Sequence, residues 1–258
     1  MANLKYKSIN LHYTIQGSGS AIVLLHGFLE NISMWKEIIP HLAKKNKVIS
    51  IDLLGHGSTE NLGYIHTMEE QAKMVKFVLN YLKLRKYTFI GHSMGGYIAL
   101  AFAELFPKNI KKLCLMNSSA QADSADKKRN RDRAIRAVKH SPKIFVKMAI
   151  PNLFSEVNKT NFAKEIKLVT QEALQTSPQG IIAAMEGMKI RKDRTSILKT
   201  TNFPILMIIS KLDPALAYQD LINQTKNTPI SIREFPDGHM SHIENKNELI
   251  NTLVQFIK

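Results

Sequence analysis

The chain has a single cysteine, Cys114, which excludes an intrachain disulfide and fits a reducing compartment. It sits in the apolar run KKLCLMN and reads as a buried core residue rather than a reactive thiol. Long apolar runs are also missing: nothing approaches the roughly 18 uninterrupted apolar residues of a membrane span. The opening MANLKYKSINLHY has no apolar stretch of signal-peptide type, so the expectation is a soluble cytoplasmic protein. Aromatic residues make up only 7% of the chain and none interleave with a basic run, so a base-stacking platform for single-stranded nucleic acid is absent. Acidic residues are outnumbered, 21 against 36 lysines and arginines, for a net charge of +15. Such an excess attracts polyanions non-specifically, yet the basic residues are scattered, and no nucleic-acid partner is expected. The densest basic segment, from Asp126 to Lys147, reads as the solvated faces of helices, with attraction of anionic substrates as the alternative.

At 258 residues the chain is long enough for one large α/β domain, or a core with an insertion. Short apolar, β-branched runs at 10–16, 21–25, 47–51, 87–90, 113–117, 205–210 and 230–235 have the character of strands. They alternate with segments of helical periodicity at 34–44, 67–82, 94–106, 216–225 and 246–257. Thr67 and Glu70 have the spacing of a capping box. This alternation predicts a mostly parallel, doubly wound sheet with helices on both faces. Runs such as AIVLL and KVISI suit strands buried on both sides. From 119 to 200 no strand is expected, only charged, helical sequence punctuated by Pro142, Pro151 and Pro178. The predicted organisation is a core of residues 1–118 and 201–258 with a helical cap at 119–200, placed over the carboxyl edge of the sheet where open α/β sheets bind ligands.

The stretch GHSMGG at 91–96 falls where a strand gives way to a helix. A serine cap would account for Ser93 but not for glycines on both sides. Glycines at minus two and plus two are needed where the backbone turns so sharply that a Cβ would collide with its neighbours. That is the context of a nucleophile elbow, and Ser93 is the candidate nucleophile. The free N–H groups of the following helix favour negative charge developing beside it.

A serine hydroxyl needs a base, and the base an orienting group. Of nine histidines, His239 in FPDGHMSHIEN follows the last strand and precedes the last helix; His242, its main rival, enters the approach to that helix. His92 is expected to point into the packing of the elbow. Asp213, just past the strand ending at Ser210, is the candidate acid, and it also suits a turn ahead of Pro214. Asp237 is too close in chain to His239 to reach its Nδ1, and Asn117 carries no charge. Oxyanion donors are expected from the backbone N–H groups of Met94 and Phe28, where Gly27 lets the chain bend. His26 is expected to brace that loop.

HGF at 26–28, DLLGHGST at 52–59, GHSMGG at 91–96, LDP at 212–214 and GHMSHIE at 238–244 together resemble the α/β-hydrolase fold family over nearly the whole chain. The resemblance implies the order nucleophile, acid, base met by Ser93, Asp213 and His239, a helical lid after the strand ending near Asn117, and a structural role for Asp52 and His56. Ser210 departs from the pattern, since many members carry Gly there. Haloalkane dehalogenases and epoxide hydrolases of this fold place aspartate at the nucleophile position, so serine points away from them. The expectation is a serine hydrolase acting on carboxylic esters of small or medium acyl chains through an acyl-enzyme, without metal or organic cofactor. The alternatives are a pathway-specific thioester or C–C bond hydrolase or lyase, and, in another class, a ligand receptor that retains the triad.

Overall fold

The short apolar runs become strands of one sheet, preceded by a small hairpin. In the computed structural model, β1 (Leu4–Tyr6) and β2 (Ile9–Leu11) pair antiparallel around Lys7, whose φ of 51° makes the tight turn. The expected strand over 10–16 is thus divided between β2 and β3 (Tyr13–Gln16). The main sheet adds β4 (Ser20–Leu25), β5 (Asn46–Ile51), β6 (Tyr87–His92), β7 (Ile110–Met116), β8 (Ile205–Ser210) and β9 (Ser231–Phe235). Its order is β3-β5-β4-β6-β7-β8-β9, parallel except where β3 runs antiparallel to β5. Residues 4–200 and 202–258 are described; Met1–Asn3, at the head of the N-terminal stretch, and Thr201, the expected start of the second core segment, lie outside them.

Alternation along each strand sorts its apolar side chains onto two faces, both buried. From β4 and β8, Ile22, Leu24, Leu206 and Ile208 pack on one side with Trp35 and Leu42, and with Leu249 and Leu253 of the terminal helix. Val23, Leu25, Met207 and Ile209 pack on the other side with Val75, Val78, Ile98 and Phe102. Each such side chain, fully buried, contributes about 1.5–3 kcal/mol of transfer free energy. Cys114 lies at 0% exposure in the first of these layers. Burial pushes its thiol far above the ordinary range, which suits core and not chemistry.

The expected helix over 34–44 is broken: a 3₁₀ turn covers Ile32–Trp35 and only one α-turn, α1 (Ile39–Leu42), follows. Pro40 lies in the first turn of α1, where its missing N–H does no harm, but it prevents one continuous helix. α2 (Met68–Tyr81) is capped by Thr67, whose Oγ1 accepts the Glu70 N–H at 3.0 Å. The Glu70 carboxylate does not return to Thr67; it takes Tyr6 Oη at 2.9 Å and Lys7 Nζ at 2.6 Å, tying the hairpin to α2. α3 (Met94–Leu105) follows β6 directly.

Between β7 and β8 no strand occurs among the described residues. The chain runs through α4 (Ala125–His140), α5 (Pro142–Ala149), α6 (Glu156–Asn161), α7 (Ala163–Ala173), α8 (Pro178–Lys189) and α9 (Thr195–Thr200). Arg194 fastens the end of this segment: buried, it bonds Glu69 of α2 at 2.6 Å and Glu104 of α3 at 2.8 Å. α10 (Tyr218–Thr225), the single turn α11 (Ser241–Glu244) and α12 (Lys246–Ile257) complete the chain.

Candidate active site

The seam between β6 and α3 is held by close backbone approach. A Cβ on Gly91 would stand 2.5 Å from the Gly95 carbonyl oxygen, and one on Gly95 would meet the Leu25 carbonyl and lie 2.7 Å from the His26 oxygen. No side chain fits either place. Between them Ser93 adopts φ 48°, ψ −112°, a conformation that costs a non-glycine residue on the order of 1–3 kcal/mol and persists only where the surroundings enforce it. The strain lifts Ser93 into a cavity of about 350 Å³ that it shares with His239, Phe28 and Tyr97 and with Met185 and Met188 from α8. A second cavity of about 370 Å³ has Leu29 and Glu30 in its wall but neither Ser93 nor His239.

His239 and Asp213 are brought together across 26 residues, with Nδ1 2.7 Å from Oδ2. An ionised carboxylate only accepts, so Nδ1 carries the proton and Nε2 is left as the acceptor. Burial alone would raise the Asp213 carboxyl; the His239 ring and hydrogen bonds from Asn117 and the Ala215 N–H outweigh it and hold the group below the ordinary carboxylate range. Asp213 also makes the expected turn, its Oδ1 accepting Ala215 N–H at 2.8 Å and Leu216 N–H at 3.0 Å. Asp237 is elsewhere, its carboxylate accepting Asn245 Nδ2 at 2.7 Å. His242 makes no bond to Asp213: its Nε2 lies 3.9 Å from Glu30 Oε1, and burial lowers its pKa to about 4.

Met94 opens α3, so its N–H belongs to the first turn and has no intrahelical acceptor. Among the described residues no hydrogen bond engages the Phe28 N–H. His26 braces the loop as anticipated, its Nδ1 donating to the Gly27 carbonyl at 2.7 Å and its Nε2 accepting the Leu53 N–H at 2.9 Å. Asp52 accepts from Ile32 N–H and Ser58 N–H, each at 2.9 Å, and faces His12 Nδ1 at 2.7 Å. His56 is fully buried with its pKa lowered to about 3, chiefly by desolvation. Both stand apart from Ser93 in these loop-bracing contacts.

Three residues join this site that the sequence does not assign to it. Glu30 is buried and its Oε2 accepts the Gly27 N–H at 2.6 Å and His92 Nδ1–H at 2.7 Å. His92 Nε2 faces the His239 carbonyl at 3.0 Å. Because both ring nitrogens face acceptors, both are protonated and His92 is an imidazolium. Burial would lower its pKa, but the charge and hydrogen bond of Glu30 raise it above the ordinary value. Burial would likewise raise Glu30, and His92 draws it down to about 2. A Cβ on Gly27 would sit 2.5 Å from the Glu30 carboxylate and 2.8 Å from His92 Nδ1, so glycine there makes room for this pair. Glu30, His92 and His242 offer ligand atoms within 4.8 Å of one another and could hold a metal ion. At 2.7 Å, however, Glu30 and His92 are closer than the roughly 3.3 Å between two ligands of one tetrahedral ion; as arranged, they are an ion pair. Asn117 is the third residue, donating through Nδ2 to Asp213 at 3.1 Å and to Ser210 Oγ at 2.8 Å. Ser210 is accommodated by that bond and by Ser241 Oγ at 3.1 Å. A lone acid in the apolar HGFLEN loop was the available signal for Glu30.

Residues 20–152 match the family model described as alpha/beta hydrolase fold. A thermophilic esterase from Thermogutta terrifontis superposes with a TM-score of 0.90 at 28% identity, covering 99% of this chain and 96% of that one. A putative 2-succinyl-6-hydroxy-2,4-cyclohexadiene-1-carboxylate synthase of Bacillus subtilis is 27% identical over 92% of this chain and 91% of its own length. An uncharacterised protein of Mycobacterium tuberculosis is 35% identical over 106 residues, 41% of this chain, and the aligned part is only 31% of that relative. No described helix is long and apolar enough to cross a membrane. With its parallel sheet, its elbow at Ser93 and these likenesses, the chain belongs to the α/β-hydrolase fold family.

Proposed function

We propose that this protein is a serine hydrolase of carboxylic esters with small or medium acyl chains. Ser93 Oγ attacks the ester carbonyl carbon while its proton passes to His239 Nε2, and the carbonyl π pair moves onto oxygen. The N–H groups of Phe28 and Met94 receive that oxyanion; one such donor is typically worth about 2.7–4 kcal/mol. The pair returns, the C–O bond breaks, and His239 hands its proton to the departing alcohol. Water then attacks the acyl-enzyme with His239 as base, releasing the acid and restoring the Ser93 hydroxyl. Asp213 holds the His239 tautomer and stabilises the imidazolium. The segment 119–200 serves as a lid, since α4, α5 and α8 contribute walls to the cavity.

The observation that carries this reading is a strained serine and an acid-oriented histidine lining one cavity. A volume of about 350 Å³ is near the small end of ligand sites and suits a short acyl chain. The test is fluorophosphonate labelling together with a p-nitrophenyl ester series, on wild type and Ser93→Ala. Labelling and steady turnover that vanish in the variant are expected; labelling that persists moves the nucleophile elsewhere.

A second reading, C–C or thioester cleavage by the same groups, has support from the names of relatives. A 2-hydroxy-6-oxo-2,4-heptadienoate hydrolase of Pseudomonas putida is 33% identical over 113 residues, 42% of this chain and 40% of its own. Turnover of a vinylogous 1,5-diketone acid with no turnover of simple esters would favour it.

A further inference from the structure

Lys127, Asn130, Arg131 and Ala134 of α4 line the cavity of Ser93 and His239. They follow the i, i+3, i+4, i+7 spacing that gathers side chains on one helix face. Part of the basic segment expected to be solvated therefore turns inward. Arg131 is paired with Asp123, and so is Arg191, whose guanidinium also lies 4.1 Å from the Tyr97 ring centre. Two guanidinium groups thus share the Asp123 carboxylate, Arg191 having Asp193 nearby as well, and Lys127 adds a further positive charge to the cavity wall. Glu30, the other acid in the wall, is neutralised by His92.

Lys127 is only half exposed, and among the described residues its ammonium has neither an ion pair nor a hydrogen bond. The opposing walls, Phe145, Leu153, Met188 and Leu216, are apolar. An apolar cavity with uncompensated positive charge along one edge is matched by a ligand that is itself apolar with one anionic end.

We infer that α4 forms an anion subsite, and that the preferred ester carries a carboxylate remote from its scissile carbonyl, received by Lys127 with Asn130 beside it. The inference rests on the hydrolase reading above and names the substrate class of that site.

Two matched pairs of probes test it: mono-p-nitrophenyl succinate against p-nitrophenyl butyrate, with the carboxylate on the acyl side, and 4-acetoxybenzoate against phenyl acetate, with it on the alcohol side. The readout is the kcat/KM ratio, charged over neutral. In Lys127→Gln this ratio falls roughly tenfold in at least one pair, the order expected of one partly screened charge-assisted contact. Lys127→Arg retains it, and Lys128→Gln, exposed on the same helix, leaves it unchanged. Raising ionic strength from about 0.05 M to about 0.5 M erodes the wild-type ratio. A ratio within about twofold of wild type in both pairs overturns the subsite. Succinate binding to the Ser93→Ala protein, followed by calorimetry, needs no turnover and so separates the two readings: binding weakened by adding Lys127→Gln supports the subsite even if labelling places the nucleophile elsewhere. Absent or equal binding overturns it.

Discussion

Removing the carboxylate of Glu30 tests whether one buried ion pair holds the site's three loops together. In Glu30→Ala the Gly27 N–H and the His92 imidazolium lose a common partner at 2.6 and 2.7 Å. A carboxyl carried from its ordinary 4.5 to about 2 gains roughly 3 kcal/mol on folding in its ionised form, at 1.36 kcal/mol per pH unit. Breaking a buried pair by deleting one partner typically costs about 3–5 kcal/mol. The two routes describe one interaction, counted once. At about 2–4 °C per kcal/mol for a chain of this size, the melting temperature falls by roughly 6 to 20 °C. The Glu30 contribution is present above about pH 4.5 and is lost as pH falls from there toward 2. His92 is raised above 6.5, so its part is fully present below 6.5 and fades as pH climbs through its folded value. The gap between wild type and variant is therefore widest between about pH 4.5 and 6.5. Glu30→Gln recovers part of the loss, because an amide oxygen at the Oε2 position can accept from both the Gly27 N–H and the Nδ1–H of a neutral His92, but its melting temperature no longer tracks this window. Calorimetric scans at about pH 3, 5.5 and 8 measure both effects. An alanine variant melting within about 2 °C of wild type at pH 5.5 would refute the reasoning.

Two further substitutions probe other parts of the site. In Asp213→Asn the amide no longer enforces the Nδ1–H tautomer of His239, so kcat on p-nitrophenyl butyrate falls by roughly 10³–10⁴; a loss under tenfold would mean that Asp213 is not the orienting group. Gly95→Ala drives a Cβ into the Leu25 and His26 carbonyls, backbone at the end of a central strand that cannot step aside. A destabilisation of at least about 3 kcal/mol is expected from denaturant titration, and an unchanged midpoint would show the seam to be looser than described.

Strands β4 to β8 and helices α2, α3 and α12 were legible in the sequence because their periodicity is local and strong. The hairpin β1–β2 was not, being three residues on each side, too short to carry a period. The helix expected over 34–44 failed for a local reason, since Pro40 sits inside an otherwise helical pattern. At the site, motif spacing pointed to Ser93, Asp213 and His239, and the fold brings Asp213 to His239 and both Ser93 and His239 to one cavity. His92 was anticipated only as packing, and Asn117 was set aside for lacking charge; both turn out to bond to members of that group.

What the sequence settled by itself is whatever depends on near neighbours in the chain: alternation that buries both faces of a strand, glycines that permit a bend at Ser93, a threonine that caps α2. Only the tertiary structure decided which charged groups meet. Glu30 and His92 are 62 residues apart, and Lys127 looks like any other surface lysine until α4 is laid over the sheet. The reason is physical: a side chain's ionisation and partner depend on the burial and charges around it in space, and those are assembled from strand ends that no local pattern links.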